Sequence, residues 1–212
     1  MTSQQLGAFD AMPDQSNPWT TLSTKHFYDS PYIDVEEDQV QHRSGRVHAY
    51  MALRFRVFGI TVLPIDQDGC TYLIGQHRYV SGVYTWELVR GAGPLNTDPL
   101  ETARKELLEE TGLVAERWLE VFRLMASPGI TDERAPCFLA WNLTQHRAQP
   151  DPEETLSRRR IHFADAVAGC LSGEIVDGPS AATILAVYAL VLRGEAPPEV
   201  AELLSPQLAS MG

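Results

Sequence analysis

Residues 98–112 constrain this 212-residue chain more than any other stretch, because both ends of a short helix are written into them. Asp98 can cap, Pro99 suits the first helical position, and Glu101 at the third completes a capping box. Gly112 stops the helix. At about 100° per residue, Glu106, Glu109 and Glu110 fall within roughly a 100° sector, and Leu100, Ala103 and Leu107 form the adjoining apolar stripe. Three carboxylates therefore share one face beside the core.

The chain around this helix reads as alternating strand and helix signals. Before it, runs at 32–40, 47–57, 58–65 and 71–79 are rich in tyrosine, valine and isoleucine and punctuated by Asp, Gly and Pro, as antiparallel strands are. After it, strand-like segments at 117–124, 137–143 and 158–163 are joined by helical patterns at 164–171 and 181–192. Together they imply an α/β or α+β sandwich. Residues 1–24 are polar and without periodicity, which predicts a mobile or loosely docked tail. A strand region at 25–57, a main domain at 58–194 and a closing tail at 195–212, with room for one short helix, complete the expected organisation. The polar loop 144–155 carries Pro150, Asp151, Pro152, Glu153 and Glu154, and loops of that length often carry function.

Composition removes several function classes. Apolar residues make up 44% and charged residues 21%, as in an ordinary globular domain. The apolar stretch 181–192 falls short of the roughly 18 residues of a membrane span, so no membrane partner is expected. No signal-peptide pattern opens the chain, and a cytoplasmic location is the expectation. Net charge is −11, which supplies no basic footprint for nucleic acid. A small anionic substrate stays compatible, since cations and local arginines reverse the sign within a cleft. Cys70, Cys137 and Cys170 stand too far apart for a C-x-x-C pair, and buried free thiols are expected. The histidines show neither H-x-x-E-H nor H-E-x-x-H spacing, and His77 reads as a strand residue.

The acidic helix face carries a cost. Like charges at i, i+3 or i+4 destabilise by about 0.2–0.5 kcal/mol per pair, and carboxylates in the last turns oppose the helix dipole. A divalent cation with oxygen ligands offsets that cost and bridges to phosphate oxygens. Arg104 and Lys105 offset part of it in the alternative reading, in which the E-x-x-E-E pattern is a solvated face.

The surrounding residues favour the cation. The stretch Gly91-x5-Thr97-x7-Lys105-Glu106-Leu107-x-Glu109-Glu110-x-Gly112-Leu113 resembles the Nudix box, G-x5-E-x7-R-E-U-x-E-E-x-G-U with U aliphatic. Two positions depart from it, Thr97 for the glutamate and Lys105 for the arginine. In the family these form a structural ion pair, and losing both avoids leaving one charge unpaired. Gly75-Gln76-His77-Arg78-Tyr79 and Trp86-Glu87-Leu88 are similar to the Q-x-R-Y and W-E-L-P segments of ADP-ribose pyrophosphatases and related nucleoside diphosphate sugar hydrolases, with Val89 in place of proline. Ser127-Pro128-Gly129-Ile130-Thr131-Asp132-Glu133 resembles that subgroup's S-P-G-x-T-D-E, and Gly173-Glu174-Ile175-Val176-Asp177 its G-E-I-x-D. The similarity covers residues 19–192.

The resemblance implies a Nudix fold, a mixed sheet between helices, and a homodimer in which an N-terminal antiparallel sheet packs across the partner. It implies Glu106 and Glu110 as the chief Mg2+ ligands (Mn2+ being the alternative ion), Glu109 as a further or supporting ligand, and the Arg90 backbone carbonyl completing the set. Glu154 aligns with the family's general base, with Glu153 as competitor and Glu110 as the choice of some relatives. Arg78, Gly91 and Glu87 form the expected substrate-binding group. A surface salt bridge is the competing reading for Arg78, and a structural or metal-proximal role for Glu87. Trp86 reads as core rather than as a stacking platform. The implied activity is Mg2+-dependent hydrolysis of the pyrophosphate of a nucleotide sugar, ADP-ribose first. The rival is a non-catalytic nucleotide-binding module, which Thr97, Lys105 and the Arg90-Gly91-Ala92-Gly93 turn keep open.

Overall fold

The computed structural model describes residues 16–146 and 156–209. Three strands come first: β1 (Trp19–Asp29), β2 (Ile33–His42) and β3 (Val47–Phe55), an antiparallel sheet in the order β1-β2-β3. The strand region thus begins before residue 25, because Trp19 to Thr24 pair with β2 from His42 to Asp38. That corrects the expected extent of the tail over 19–24. Residues 1–15 lie outside the described part.

β4 (Val57–Pro64), β7 (Val89–Pro94), β8 (Leu113–Leu124) and β9 (Ala135–Gln145) form a mixed sheet in the order β7-β4-β9-β8. β4 runs parallel to β9 and antiparallel to β7. A second antiparallel sheet holds β5 (Cys70–Arg78), β6 (Val83–Glu87) and β10 (Ser157–His162), in the order β10-β5-β6. The helices are α1 (Pro99–Thr111), α2 (Phe163–Ser172), α3 (Gly178–Leu192) and α4 (Pro198–Ala209).

The continuous apolar run of β4 follows from burial on both faces. Ile60 and Val62 pack with Ala103 and Leu107 of α1. Leu63 and Ile65 pack with Phe163 of α2, Ile184 and Val187 of α3, and Leu204 of α4. Neighbouring β9 alternates the same way, with Phe138 and Ala140 on the α1 side and Leu139 and Trp141 on the other. The mixed sheet is therefore sandwiched between α1 and the α2–α3–α4 layer, as the resemblance implied. Each fully buried Leu or Ile contributes about 1.5–3 kcal/mol relative to exposure, and this double-sided core fixes the position of α1 against β7. Cys70 and Cys137 are buried and Cys170 is half-buried, all as free thiols. No helix among the described residues is long and apolar enough to cross a membrane.

Candidate active site

The glutamate helix forms with the signals that marked it. Asp98 accepts from Leu100 N at 3.0 Å, and Gly112, at φ 74°, donates to the Leu108 carbonyl. The expected reach of Glu101 back to the cap is replaced by a contact with Arg104 at 3.4 Å. Thr97 and Lys105 take separate work. Thr97 Oγ1 donates to the Pro94 carbonyl at 2.7 Å and closes the turn before the helix. Lys105 Nζ stands 3.0 Å from Glu109 Oε2 and 4.0 Å from Glu106 Oε1, so a lysine offsets part of the carboxylate repulsion.

The acidic face is not a solvated one. Glu109 is 34% exposed at its side chain and Glu106 17%, while Glu110 is buried at 5%. Glu106 is packed onto the backbone of β7: a Cβ on Gly91 would lie 2.3 Å from both Cγ and Cδ of Glu106. Gly91 therefore serves first to admit the glutamate.

A cleft of about 660 Å3 is lined among others by Arg78, Thr85, Glu87, Asp177 and Arg90, the residue before Gly91. Glu87 is 1% exposed. Its carboxylate accepts from Arg78 Nε at 2.9 Å, from a second Arg78 nitrogen, and from Thr85 Oγ1. Arg78 is thus engaged by Glu87 and lines the cleft at once. Its pKa is raised, first by the hydrogen bonds it donates to Glu87, against the opposing cost of burial, then by the charges of Glu87, Asp177 and Glu110. That coupling puts Arg78 within electrostatic reach of the glutamate helix.

Arg90, one residue before Gly91, turns its side chain to Asp177, with Nη1 at 2.8 and 2.7 Å from the two carboxylate oxygens. Trp86 packs partly against the main core, edge-on to Tyr84 at 5.7 Å. The Arg159 guanidinium lies 4.2 Å over its ring. His77 lies in β5. Glu153 and Glu154 fall outside the described residues.

A separate cavity of about 430 Å3 lies on the N-terminal sheet, among Trp19, Asp38, Tyr50, Arg54 and the 128–131 loop. Neither Arg78, which feels the charge of Glu110, nor Arg90, which precedes the Gly91 notch, lines it.

The carboxylates suit a hard cation. Among the described residues no group of three or more Asp, Glu, His or Cys side chains is gathered so that it could hold a metal ion by itself. Mg2+ is ordinarily held by one or two carboxylates, with water and substrate phosphate completing its shell. Glu106 and Glu110 on adjoining turns, with Glu106 seated against β7, fit that open kind of site.

No family model matches the chain. It is 30% identical over 174 residues to an ADP-ribose pyrophosphatase of Mycobacterium tuberculosis, covering 80% of this chain and 83% of the relative. The chain belongs to the Nudix hydrolases, in the ADP-ribose pyrophosphatase subgroup.

This Nudix hydrolase is also 24% identical to an ADP-ribose pyrophosphatase of Bacillus subtilis, over 77% of this chain and 89% of that one. It is equally 24% identical to a CMP-5'-(N-acetyl-N-hydroxy-3-aminopropyl)phosphonate hydrolase of Streptomyces rubellomurinus, over 81% and 83% of the two chains. A solved ADP compounds hydrolase matches its fold with a TM-score of 0.75 at 19% identity, over 85% of this chain and 98% of that one. The protein is therefore an enzyme, a Nudix pyrophosphohydrolase, and the non-catalytic module is set aside.

Two residues of this hydrolase had no role assigned from the sequence. Asp177 joins Arg90 and caps α3, accepting from Ser180 N at 3.0 Å. Ser180 Oγ, 92 residues from its partner, accepts from Leu88 N at 2.9 Å. The aspartate followed two residues later by Pro179 is a helix-start signal, and it places the N-terminus of α3 at Gly178 rather than at 181.

Proposed function

We propose that this enzyme hydrolyses the pyrophosphate of a nucleoside diphosphate sugar, ADP-ribose foremost, to a nucleoside monophosphate and a sugar phosphate. The observation that carries the reading is the buried Glu110 beside Glu106, packed on Gly91 at the edge of a cleft that Arg78 and Arg90 line. The names of the two bacterial ADP-ribose pyrophosphatases support the substrate class.

Glu106 and Glu110 would hold Mg2+, or Mn2+, with the Arg90 carbonyl and Glu109 as the further candidates. Bound there, the ion neutralises phosphate charge and lowers the pKa of a bound water. The residues of the chain do the rest. Arg78, fixed by Glu87, presents positive charge to the substrate phosphates. The attacking water forms a new P–O bond, the bridging P–O bond breaks, and a carboxylate takes the proton. Glu154 is the proposed base, with Glu153 and Glu110 as alternatives. Consistent with that choice, the chain re-enters the sheet at Ser157 opposite Gly75 of β5, three residues before Arg78.

The enzyme would act as a cytoplasmic homodimer. Leu22, Phe27, Tyr28 and Tyr50 are exposed on the N-terminal sheet, and exposed apolar groups gathered in one region mark interaction surfaces. Register shifts in β1 fall at Leu22 and Phe27, and bulges blunt an edge against further strand pairing. A second copy would accordingly pack across the sheet rather than extend it.

A screen of ADP-ribose, GDP-mannose, other nucleotide sugars and dinucleotides with Mg2+ tests the reading, with released monoesters detected through a coupled phosphatase. ADP-ribose turnover that vanishes with chelator is expected. Turnover of none of these compounds, or turnover that ignores chelator, overturns it.

A further inference from the structure

We infer that Asp177 is a positioning residue for the metal site, acting through Arg90 on the strand against which Glu106 is seated. The inference rests on the reading above that Glu106 and Glu110 hold the divalent ion, and adds to it the part that holds their strand in place.

The geometry is a chain of short contacts between segments far apart in sequence. Asp177 accepts four hydrogen bonds: two from Arg90 Nη1 at 2.8 and 2.7 Å, one from Ser180 N at 3.0 Å and one from Ser180 Oγ at 2.5 Å. Ser180 Oγ, so oriented, accepts from Leu88 N at 2.9 Å. The segment 88–90 is thereby pinned at two of its three residues by the first turn of α3. The next residue, Gly91, is the one that leaves room for Glu106 and nothing larger. A shift of β7 here would be passed directly to a metal-binding carboxylate.

Stability alone does not account for the pair. Arg90 and Asp177 are 19% and 18% exposed at their side chains, and ion pairs so far out of water are often neutral or worse than apolar replacements. Arg90 Nε is buried with no hydrogen-bond partner among the described residues. A buried unsatisfied donor costs about 1–3 kcal/mol. Arg90 stands next to the Glu106 notch, where its position matters most. Groups that orient metal ligands from behind typically weaken metal affinity by about 10- to 100-fold when they are lost.

The decisive variant is Asp177→Asn. Asparagine caps helices about as well as aspartate, so α3 should keep its start while Arg90 loses its charged partner. The readout independent of turnover is Mn2+ binding to the substrate-free protein, followed by the loss of the free-ion EPR signal. Binding should weaken by about 10- to 100-fold, and the Mg2+ concentration for half-maximal activity should rise by a similar factor. At saturating metal, kcat should return to within about threefold of the parent, since the reacting groups are intact. Asp177→Glu, which restores the charge, should recover part of the Mn2+ affinity. Arg90→Gln, which leaves α3 untouched, should reproduce the loss and guards against misfolding of the first variant. Parent-like Mn2+ affinity in Asp177→Asn or in Arg90→Gln overturns the inference while the proposed function stands. A parent protein that binds no Mn2+ sinks the proposed function, and the inference with it.

Discussion

The N-terminal sheet and the glutamate helix both follow strong local patterns, yet they are stabilised in opposite ways. Among the described residues, Val40 is the one buried hydrophobic side chain of β1–β3. The sheet is tied instead by charge: Arg54 bonds Asp38 at 2.7 Å and Glu36 at 3.4 Å, Arg56 meets Asp34 at 2.7 Å, and Thr24 donates to Asp38. It docks to the rest of the chain through Leu53 and Phe55, which bond Ile130 and Asp132 of the 127–133 loop. The helix, by contrast, buries Ala103 and Leu107 completely. A three-stranded sheet needs an apolar face covered to be stable. The helix region is self-sufficient and spends that rigidity on holding carboxylates, whereas the sheet waits for cover.

The largest effect should come from the chemical end of the self-sufficient region. Glu110→Gln is nearly isosteric and removes the charge, so it should leave the fold intact and lower kcat more than about a hundredfold, the scale of losing one transition-state electrostatic group. A melting temperature close to the parent's with activity within tenfold would show that the buried carboxylate has no part in the reaction.

On the other side of the comparison, Leu22→Asp with Phe27→Asp should turn the proposed dimer into monomer at micromolar concentration. Two charges set into an apolar contact weaken it by well over the 1.4 kcal/mol of a tenfold change. Sedimentation velocity decides it, and a parent that already sediments as a monomer means the sheet finds its cover elsewhere.

How far these contrasts could be read from the sequence depends on how local their causes are. The start and stop of α1 were legible, because Asp98 and Gly112 act within a few residues. β1 was not, since its Thr-, Ser- and Lys-rich sequence earns strand geometry only by pairing with β2. Residues 90–93 read as a turn but form part of β7, because Val89–Pro94 holds two glycines, which ordinarily weaken a strand. Gly91 makes way for Glu106, and Gly93 for Thr102 and Phe58. The three glutamates were legible from their spacing, but periodicity could not say that Glu110 is buried while Glu109 faces Lys105. The role of Asp177 is invisible in its local motif, because its partner lies 87 residues away.

A middle-sized effect follows from the carboxylate face. A ligand that binds only the folded state adds about 2.7 kcal/mol at 100 times its Kd. Each kcal/mol corresponds to about 2–4 °C in a domain of this size. Mg2+ at that saturation should therefore raise the melting temperature by roughly 5–11 °C. Glu106→Gln with Glu110→Gln should abolish the response, and thermal scans in which the double variant still responds like the parent return the acidic helix to a mere surface.

The smallest effect tests whether the two ends of α1 are separable. Asp98 is exposed, lies three turns from Glu110, and contributes one side-chain bond to Leu100 N at 3.0 Å. Removing such a cap typically costs about 1 kcal/mol, so Asp98→Ala should lower the melting temperature by about 2–4 °C. The helix should nevertheless stay folded, because Leu107 and Ala103 remain buried against β4 and β9 and Gly112 still closes the far end. Fraying is confined to the first turn, whereas the Glu106 notch on Gly91 sits two turns further on. Mn2+ affinity should accordingly change by less than about twofold, which is about 0.4 kcal/mol. Weakening by tenfold or more in Asp98→Ala would mean that the glutamates depend on the local cap, not on the two-sided core, and the contrast with the N-terminal sheet would lose its basis.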